Sequence, residues 1–382
     1  MSTELFEAAF APVAAEAAAL RPDGIVVDAH THLGLDEDGR SLDLEHLLAA
    51  LDEVDGEARA AVFPLHDPER SPAYRVPNYR VLAWAHASDG RLYPFCRLDP
   101  REQPVAEAQR CLALGAVGIK LHPRAQGFGF ADGPARAIFE TARDAGVPIL
   151  IHAGRGMGRM DDLAELAQAF PEVRLILAHA GIADQGMFAS RLAGHPAVVY
   201  DTSCFAALDV LELLARVPPE RVVFASDIPY GRPVLGLHLA LRVAAYAGLD
   251  EEARALLVGG TMRAVVEKRP LPPASAPAVP EVRRVNGRLA RVSANLATAF
   301  GAMMADGPPP RPLRGLPGIA LARTVTRDPE PGPVGPALER IDALLDAAEQ
   351  LIRAEDDASV LVPGLLAAAN TIAVTEPLEE TP

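Results

Sequence analysis

The sequence predicts an α/β fold: eight parallel strands closed into a (β/α)₈ (TIM) barrel, followed by a Pro-rich linker and a small C-terminal helical region. Three observations carry the prediction. Short Val- and Ile-rich runs recur eight times between residues 25 and 227, helical periodicities fill the gaps between them, and the composition breaks sharply after residue 268.

The runs are Ile25–Ala29, Ala60–Phe63, Leu92–Arg97, Val117–Leu121, Val147–Ile151, Arg174–Ala178, Ala197–Tyr200 and Val222–Ala225. Continuous apolar runs of this length suit strands buried on both faces, as in a parallel sheet. Between them Leu44, Leu47, Leu48 and Leu51 follow helical spacing, as do Leu163, Leu166, Ala167 and Phe170. Gly115 and Gly146 stand where a helix end calls for a left-handed residue, each just before the next strand. An open doubly wound sheet is disfavoured because no glycine-rich phosphate loop follows the first strand.

Four regions result. Residues 1–24 form a helical lead-in: Glu4, Glu7 and Glu16, with no basic start, read as a short amphipathic or frayed helix rather than a signal peptide. Residues 25–268 form the barrel, closed by a helix over Glu251–Glu267. Residues 269–281, with Pro270, Pro272, Pro273, Pro277 and Pro280, form a stiff linker. Residues 282–382 form a helical extension. There Val285, Leu289, Val292 and Leu296 share one face, as do Leu338, Ile341, Leu345, Ala348 and Ile352, and a third apolar stretch covers Leu361 to Val374. These stripes must be buried against the barrel, one another or a second copy, so a homo-oligomer through the C-terminal helices is an open expectation.

Composition narrows the partners. A net charge of −15 repels phosphate backbones and anionic lipid, which argues against a nucleic-acid or membrane partner. No run is apolar for long enough to span a bilayer. Cys96, Cys111 and Cys204 match no zinc spacing and read as buried thiols of a cytoplasmic protein. One Trp and 5% aromatics leave little for an aromatic-lined sugar or base pocket, and the expected partner is a small-molecule substrate.

In such a barrel the chemistry comes from the C-terminal ends of the strands. Strand one ends in Asp28-Ala29-His30-Thr31-His32, strand four in Lys120-Leu121-His122, strand five in His152, strand six in His179 and strand eight in Asp227. His30 and His32, two apart, project to the same side. Imidazoles with a carboxylate make a mixed N/O site for Zn, Mn, Fe or Ni. A lone strand-end histidine is usually a satisfied core or rim residue, but this coincidence of positions makes a metal the economical explanation. His46, His86, His195 and His238 fall on predicted helices and read as packing or surface residues. His66, after strand two, is ambiguous.

The segments Val27–His32, Gly118–Pro123, Ile151–Gly154, Ala178–Gly181 and Ala225–Tyr230 together resemble the amidohydrolase superfamily, and within it the amidohydrolase-2 (ACMSD-like) branch of metal-dependent hydrolases and decarboxylases. The resemblance runs from about Val26 to Val266. It implies one divalent ion, Zn foremost, on His30, His32, His152 and Asp227, with His179 beside the bound water and His179 and Asp227 as the catalytic pair. Lys120 is either an amine contacting substrate or, as in two-metal members, a carboxylated bridge to a second ion. His122 either lines the same pocket or is a rim residue.

Arg155, in the Gly154–Arg159 loop, and less directly Arg124, suit a substrate carboxylate. Arg97, at the end of strand three, is a further candidate, with an ion pair to Asp99 as its structural alternative. The implied reaction is attack of metal-bound hydroxide on an amide, cyclic amide or lactone of a small acidic substrate. Non-oxidative decarboxylation of an aromatic or unsaturated acid uses the same ligands. A nuclease or phosphoesterase of the TatD or PHP type would want acidic ligands at the middle strands, where this chain has Lys120. A non-catalytic scaffold is the remaining alternative.

Overall fold

The structure, a computed structural model, describes residues 2–153, 160–181, 185–192, 194–203, 206–278, 286–306, 316–353 and 358–377. Nine strands appear: β1 (Val26–Leu35), β2 (Ser41–Leu42), β3 (Ala58–Pro64), β4 (Leu92–Arg97), β5 (Gly118–Leu121), β6 (Ile149–Ile151), β7 (Leu175–Leu177), β8 (Val198–Asp201) and β9 (Val222–Val223). All eight predicted runs are strands. The extra one, β2, is a two-residue antiparallel partner of β1.

Helices α1 (Ser2–Leu20), α2 (Leu44–Asp52), α3 (Arg75–His86), α4 (Pro104–Ala113), α5 (Pro123–Gln126) and α6 (Gly133–Ala145) lie in the first half. Helices α7 (Met160–Ala169), α8 (Gln185–Leu192), α9 (Ala207–Arg216), α10 (Pro233–Tyr246), α11 (Glu251–Ala255) and α12 (Thr261–Val266) complete the barrel. The extension holds α13 (Gly287–Asp306), α14 (Pro317–Thr326), α15 (Gly335–Arg353) and α16 (Ala358–Thr375). The sequence stripes marked α13, α15 and α16 but not α14. His195 lies in the turn after α8 rather than on a helix.

From β1 and β3 through β9 the strands pair in parallel and in chain order. The ring closes by backbone bonds between β1 and the segment after β9. Ala29 N donates to Phe224 O, Asp227 N to His30 O and His32 N to Ile228 O, each at 2.9 Å. Inside the barrel Val27, Ala29, Phe63, Phe95, Leu150, Ile176 and Val199 pack together, and Met262, Val265 and Val266 of α12 close this core. Outside, alternate residues such as Val26, Val62, Ile119 and Ile151 pack against the helices. Glu251–Val266 is helical throughout, with one wider π-turn at Leu256–Gly260. Gly259 sits in that turn because a Cβ there would collide with the Ile25 carbonyl.

The helical extension forms a third core. Leu289, Val292, Leu296, Leu338, Ile341, Leu345, Val362 and Leu365 pack with Phe10 and Val13 of α1 and Val234 and Leu235 of α10. The apolar stripes are therefore buried within the chain, against one another and against the barrel. The reason lies in α10, which is apolar on nearly every face and buries Val234 through Ala244 except Gly236. Such a helix needs a covering layer on both sides. Among the described residues no helix is long and apolar enough to cross a membrane.

A partly buried ionic knot pins this layer. Glu16 of α1 accepts from His238 Nε2 (2.8 Å), from Arg242 and from Arg340 Nη2 (2.6 Å). Arg242 also donates to Thr375 Oγ1 (2.8 Å) and Glu376. Burial alone would raise the Glu16 carboxyl, but the His238 hydrogen bond and the Arg242 and Arg340 charges hold it down to about 2. A carboxyl depressed from 4.5 contributes stability that is complete above about pH 4.5 and lost as pH falls towards 2. Glu16→Gln leaves the buried Arg242 with Glu376 as its remaining carboxylate and is expected to destabilise by about 1.5–3 kcal/mol near neutrality. Urea unfolding at pH 7 and at pH 3 checks this: the gap between variant and wild type should narrow at pH 3, and a constant gap would reject the ionic account.

Candidate metal centre

The site is built where the strands end. β1 carries a register shift between Asp28 and Thr31. Below it Val27 and Ala29 face the barrel core; above it His30 and His32 face the mouth. Asp28 braces this shift, its Oδ1 accepting from His30 N (3.1 Å) and Ser226 N (3.0 Å). Burial raises its carboxyl to about 7.

The mouth is a cavity of about 380 Å³ lined by His30, His32, Lys120, His122, His152, His179, Asp227, Arg97, Arg124, His66, Asp36 and Tyr230. Thus the sequence candidates at the ends of strands one, three, four, five, six and eight share one space. Arg155 lies outside the described residues, as does Cys204. Cys96 and Cys111 are buried thiols.

Asp227 Oδ1 lies 3.2 Å from His30 Nε2 and 3.0 Å from His32 Nε2. Donor atoms of His30, His179 and Asp227 all fall within 4.8 Å of one another. His152 stands one hydrogen bond behind, its Nδ1 2.9 Å from His179 Nε2 and its ring stacked on His122 at 3.8 Å. The sequence expectation gave His152 to the ion and His179 to the water; here His179 is the nearer of the two to His30 and Asp227. His179 (φ 58°) and Asp227 (φ 60°) both sit in the left-handed region. Non-glycine residues there store on the order of 1–3 kcal/mol each. The backbone bonds from His179 N to Asp201 Oδ1 (2.8 Å) and from Asp227 N to His30 O hold them.

Asp201 is the residue that sequence reasoning missed. Fully buried at the end of β8, it accepts from His30 Nδ1 (2.9 Å) through Oδ2, and from His179 N, Ser203 N and Ser203 Oγ (2.5 Å) through Oδ1. The signal was present, because Asp201 is the first residue after the seventh run. His66 was left ambiguous and belongs to the site. Its Nδ1 accepts from Tyr74 Oη (2.6 Å) and Arg97 Nη2 (3.3 Å), and burial with the Arg97 charge lowers it to about 4. Arg97 does not pair with Asp99, which takes Arg101 instead. It donates to Pro64 O (3.1 Å) and His66 and lies over the Tyr74 ring.

The donors fit a divalent cation. With its proton on Nδ1 facing Asp201, His30 presents a bare Nε2 to Asp227 Oδ1, two acceptors with no hydrogen between them. His32 Nδ1 has no partner among the described residues, so its ring too is incompletely satisfied by them. Burial first, then the Lys120 charge, holds His30 well below the usual imidazole range, and burial likewise lowers His32 and His152. Neutral rings are what ligation requires. Burial raises the Asp227 carboxyl, yet the hydrogen bond from His32 holds it below the usual range, so it is anionic.

Asp201 orients His30 as an outer-shell carboxylate does in many metal sites. Asp201→Asn is therefore expected to weaken divalent-ion binding about 10–100-fold, read by chelator competition. Wild-type affinity in that variant would remove Asp201 from this role.

Comparison with known proteins agrees with the fold and the strand-end pattern. A family model described as Amidohydrolase matches residues 7–266. No curated protein sequence matches significantly. Among solved structures, an uncharacterised TIM-barrel protein from Bordetella bronchiseptica has a TM-score of 0.50 at 13% identity, covering 64% of this chain and 99% of its own. A structure described as amidohydrolase II gives 0.50 at 17%, covering 63% and 99%. The IDCase of Metarhizium anisopliae gives 0.50 at 17%, covering 64% and 97%. At these identities the structures speak for the barrel alone. The family model spans most of the chain and the whole barrel: the chain is an enzyme of the amidohydrolase family, in the amidohydrolase-2 branch of that superfamily.

Proposed function

We propose that this enzyme hydrolyses an amide, cyclic amide or lactone bond in a small, carboxylate-bearing molecule. The ion would be held by His30, His32, His152 and Asp227, with His179 beside its open position; Zn is the ion proposed, and Mn, Fe and Ni suit the same donors. A divalent ion bound there polarises a carbonyl and makes water more acidic. The rest is done by side chains. Asp227, held anionic, takes the proton from the attacking water and passes it to the leaving group. His179 donates through Nδ1 to Ser203 O (3.1 Å), which leaves Nε2 as the face turned to the cluster. In that orientation Nε2 is an acceptor, which can take a hydrogen bond from the attacking water and so position it.

The observation that carries the reading is Arg97. The residue is 1% exposed, lines the cavity and has no carboxylate hydrogen-bond partner among the described residues. Asp36, on the same cavity, reaches it only through space, so a substrate carboxylate would supply the hydrogen-bonded counter-charge that the buried guanidinium lacks. His122 and Lys120 border the same space, and Arg155 is a further proposed contact. Lys120 Nζ lies over the Phe63 ring (4.4 Å) and 3.4 Å from His30 Nε2. A cation suits that π-face and a carboxylated lysine, being anionic, does not, so Lys120 is proposed as an unmodified amine and the centre as mononuclear.

The same charges weigh against decarboxylation. A carboxylate leaves as neutral CO₂, and paired cations stabilise it before departure more than during it. Assay of a panel of acidic lactones and amides beside aromatic acids decides between the two. Hydrolysis is expected, with Arg97→Met lowering kcat/KM roughly 100-fold while ion content is kept. His30→Ala and Asp227→Ala should abolish turnover in folded protein. Release of CO₂ from the aromatic acids, with the lactones and amides untouched, would overturn the hydrolytic reading.

A further inference from the structure

The family match ends at residue 266, yet the extension reaches back to the strand ends. Behind the metal centre lies a small cavity of about 20 Å³. Its inner wall includes Ser203 and Ser226; its outer wall includes Leu235 of α10 and Gly364, Ala367 and Ala368 of α16. Both serines hold the site. Ser203 Oγ bonds Asp201 Oδ1 (2.5 Å) and lies 3.0 Å from His179 Nδ1. Ser226 N donates to Asp28 Oδ1 (3.0 Å), and Ser226 Oγ accepts from Ile228 N (3.2 Å), on either side of Asp227.

Small residues let α16 come this close. A Cβ at Gly364 would collide with Leu235. The helix cannot easily retreat, because Arg242 ties its last turn through Thr375, and Val362 and Leu365 are fully buried in the bundle core. Close-packed interiors transmit such constraints rather than absorb them.

We propose that α16 is a positioning element of the metal centre: packed across the cavity from Ser203 and Ser226, it fixes the hydrogen bonds that aim His30, His179 and Asp227. The proposal rests on the ion site put forward above. It makes the extension part of the catalytic unit rather than an attached assembly module.

Ala368→Val narrows the cavity without touching the site. Two readouts apply. In metal-free protein carrying ¹⁵N-histidine, the imidazole N–H protons of His30 and His179 report their bonds to Asp201 and Ser203. In Co²⁺-loaded protein, chelator competition and the visible spectrum report the surroundings of the ion. Leu365→Ala, on the bundle side of α16, controls for lost stability alone. Expected is a shift of both imidazole signals and a roughly 10-fold or greater loss of Co²⁺ affinity in Ala368→Val, with neither change in Leu365→Ala. Ala368→Ser carries the same expectation in the same direction should the valine variant not fold. Imidazole signals that stay in place, or that move equally in Leu365→Ala, would overturn the proposal. If wild type takes up no Co²⁺ but the imidazole signals still shift in Ala368→Val, the ion reading fails and the positioning role stands.

Discussion

Closure of the barrel between β1 and the segment after β9 is the constraint on which the site depends. The bond from Asp227 N to His30 O ties the two residues together through the backbone, and flanking bonds at Ala29 and His32 extend the seam. Without this seam His30, His32 and Asp227 would belong to opposite edges of an open sheet. With it, one carboxylate oxygen meets two imidazole nitrogens at close to 3 Å. The seam also accounts for the left-handed backbone at Asp227, since the chain must turn there to keep both the seam and the side-chain direction.

Around that seam the support is arranged in shells. Asp201 locks the ring of His30 and the backbone of His179 at once, so two strand ends move as one. Asp28 does the same for His30 N and Ser226 N. Outside these stand Ser203 and Ser226, then α10, and then the helical extension. The α10 helix joins the barrel to the extension. It is the last barrel helix before the closing α11–α12 unit and also the floor of the extension, and it has no free polar face to offer solvent. Barrel and extension therefore share a wall rather than a tether.

Charge in the cavity follows from burial. Lys120, brought to about 7 by burial and the neighbouring Arg97, and the lowered histidines form a set of groups that gain from an anion or a metal and from little else. A cavity that keeps Arg97 away from Asp99 keeps that cation available. Tyr74 and His66 hold it by neutral contacts, which orient the guanidinium without cancelling its charge.

Much of this was legible in the sequence. Parallel strands buried on both faces must be written as unbroken apolar runs, so the strands could be counted and the polar residues ending them named: His30, His32, Lys120, His152, His179 and Asp227. Asp201 obeys the same rule and was overlooked beside the histidines. What the sequence determined by itself was the barrel and the strand-end histidines, lysine and aspartate of its mouth, because both rest on local periodicity; Asp36 and Tyr230 come from loops and carried no such signal. Only the tertiary structure decided which nitrogen faces which oxygen, that a register shift in β1 turns His30 and His32 to the mouth, and that α16 stands behind Ser203 and Ser226. Those depend on contacts between residues about 30 to 200 positions apart, and no local pattern encodes the direction in which a side chain meets a partner that distant.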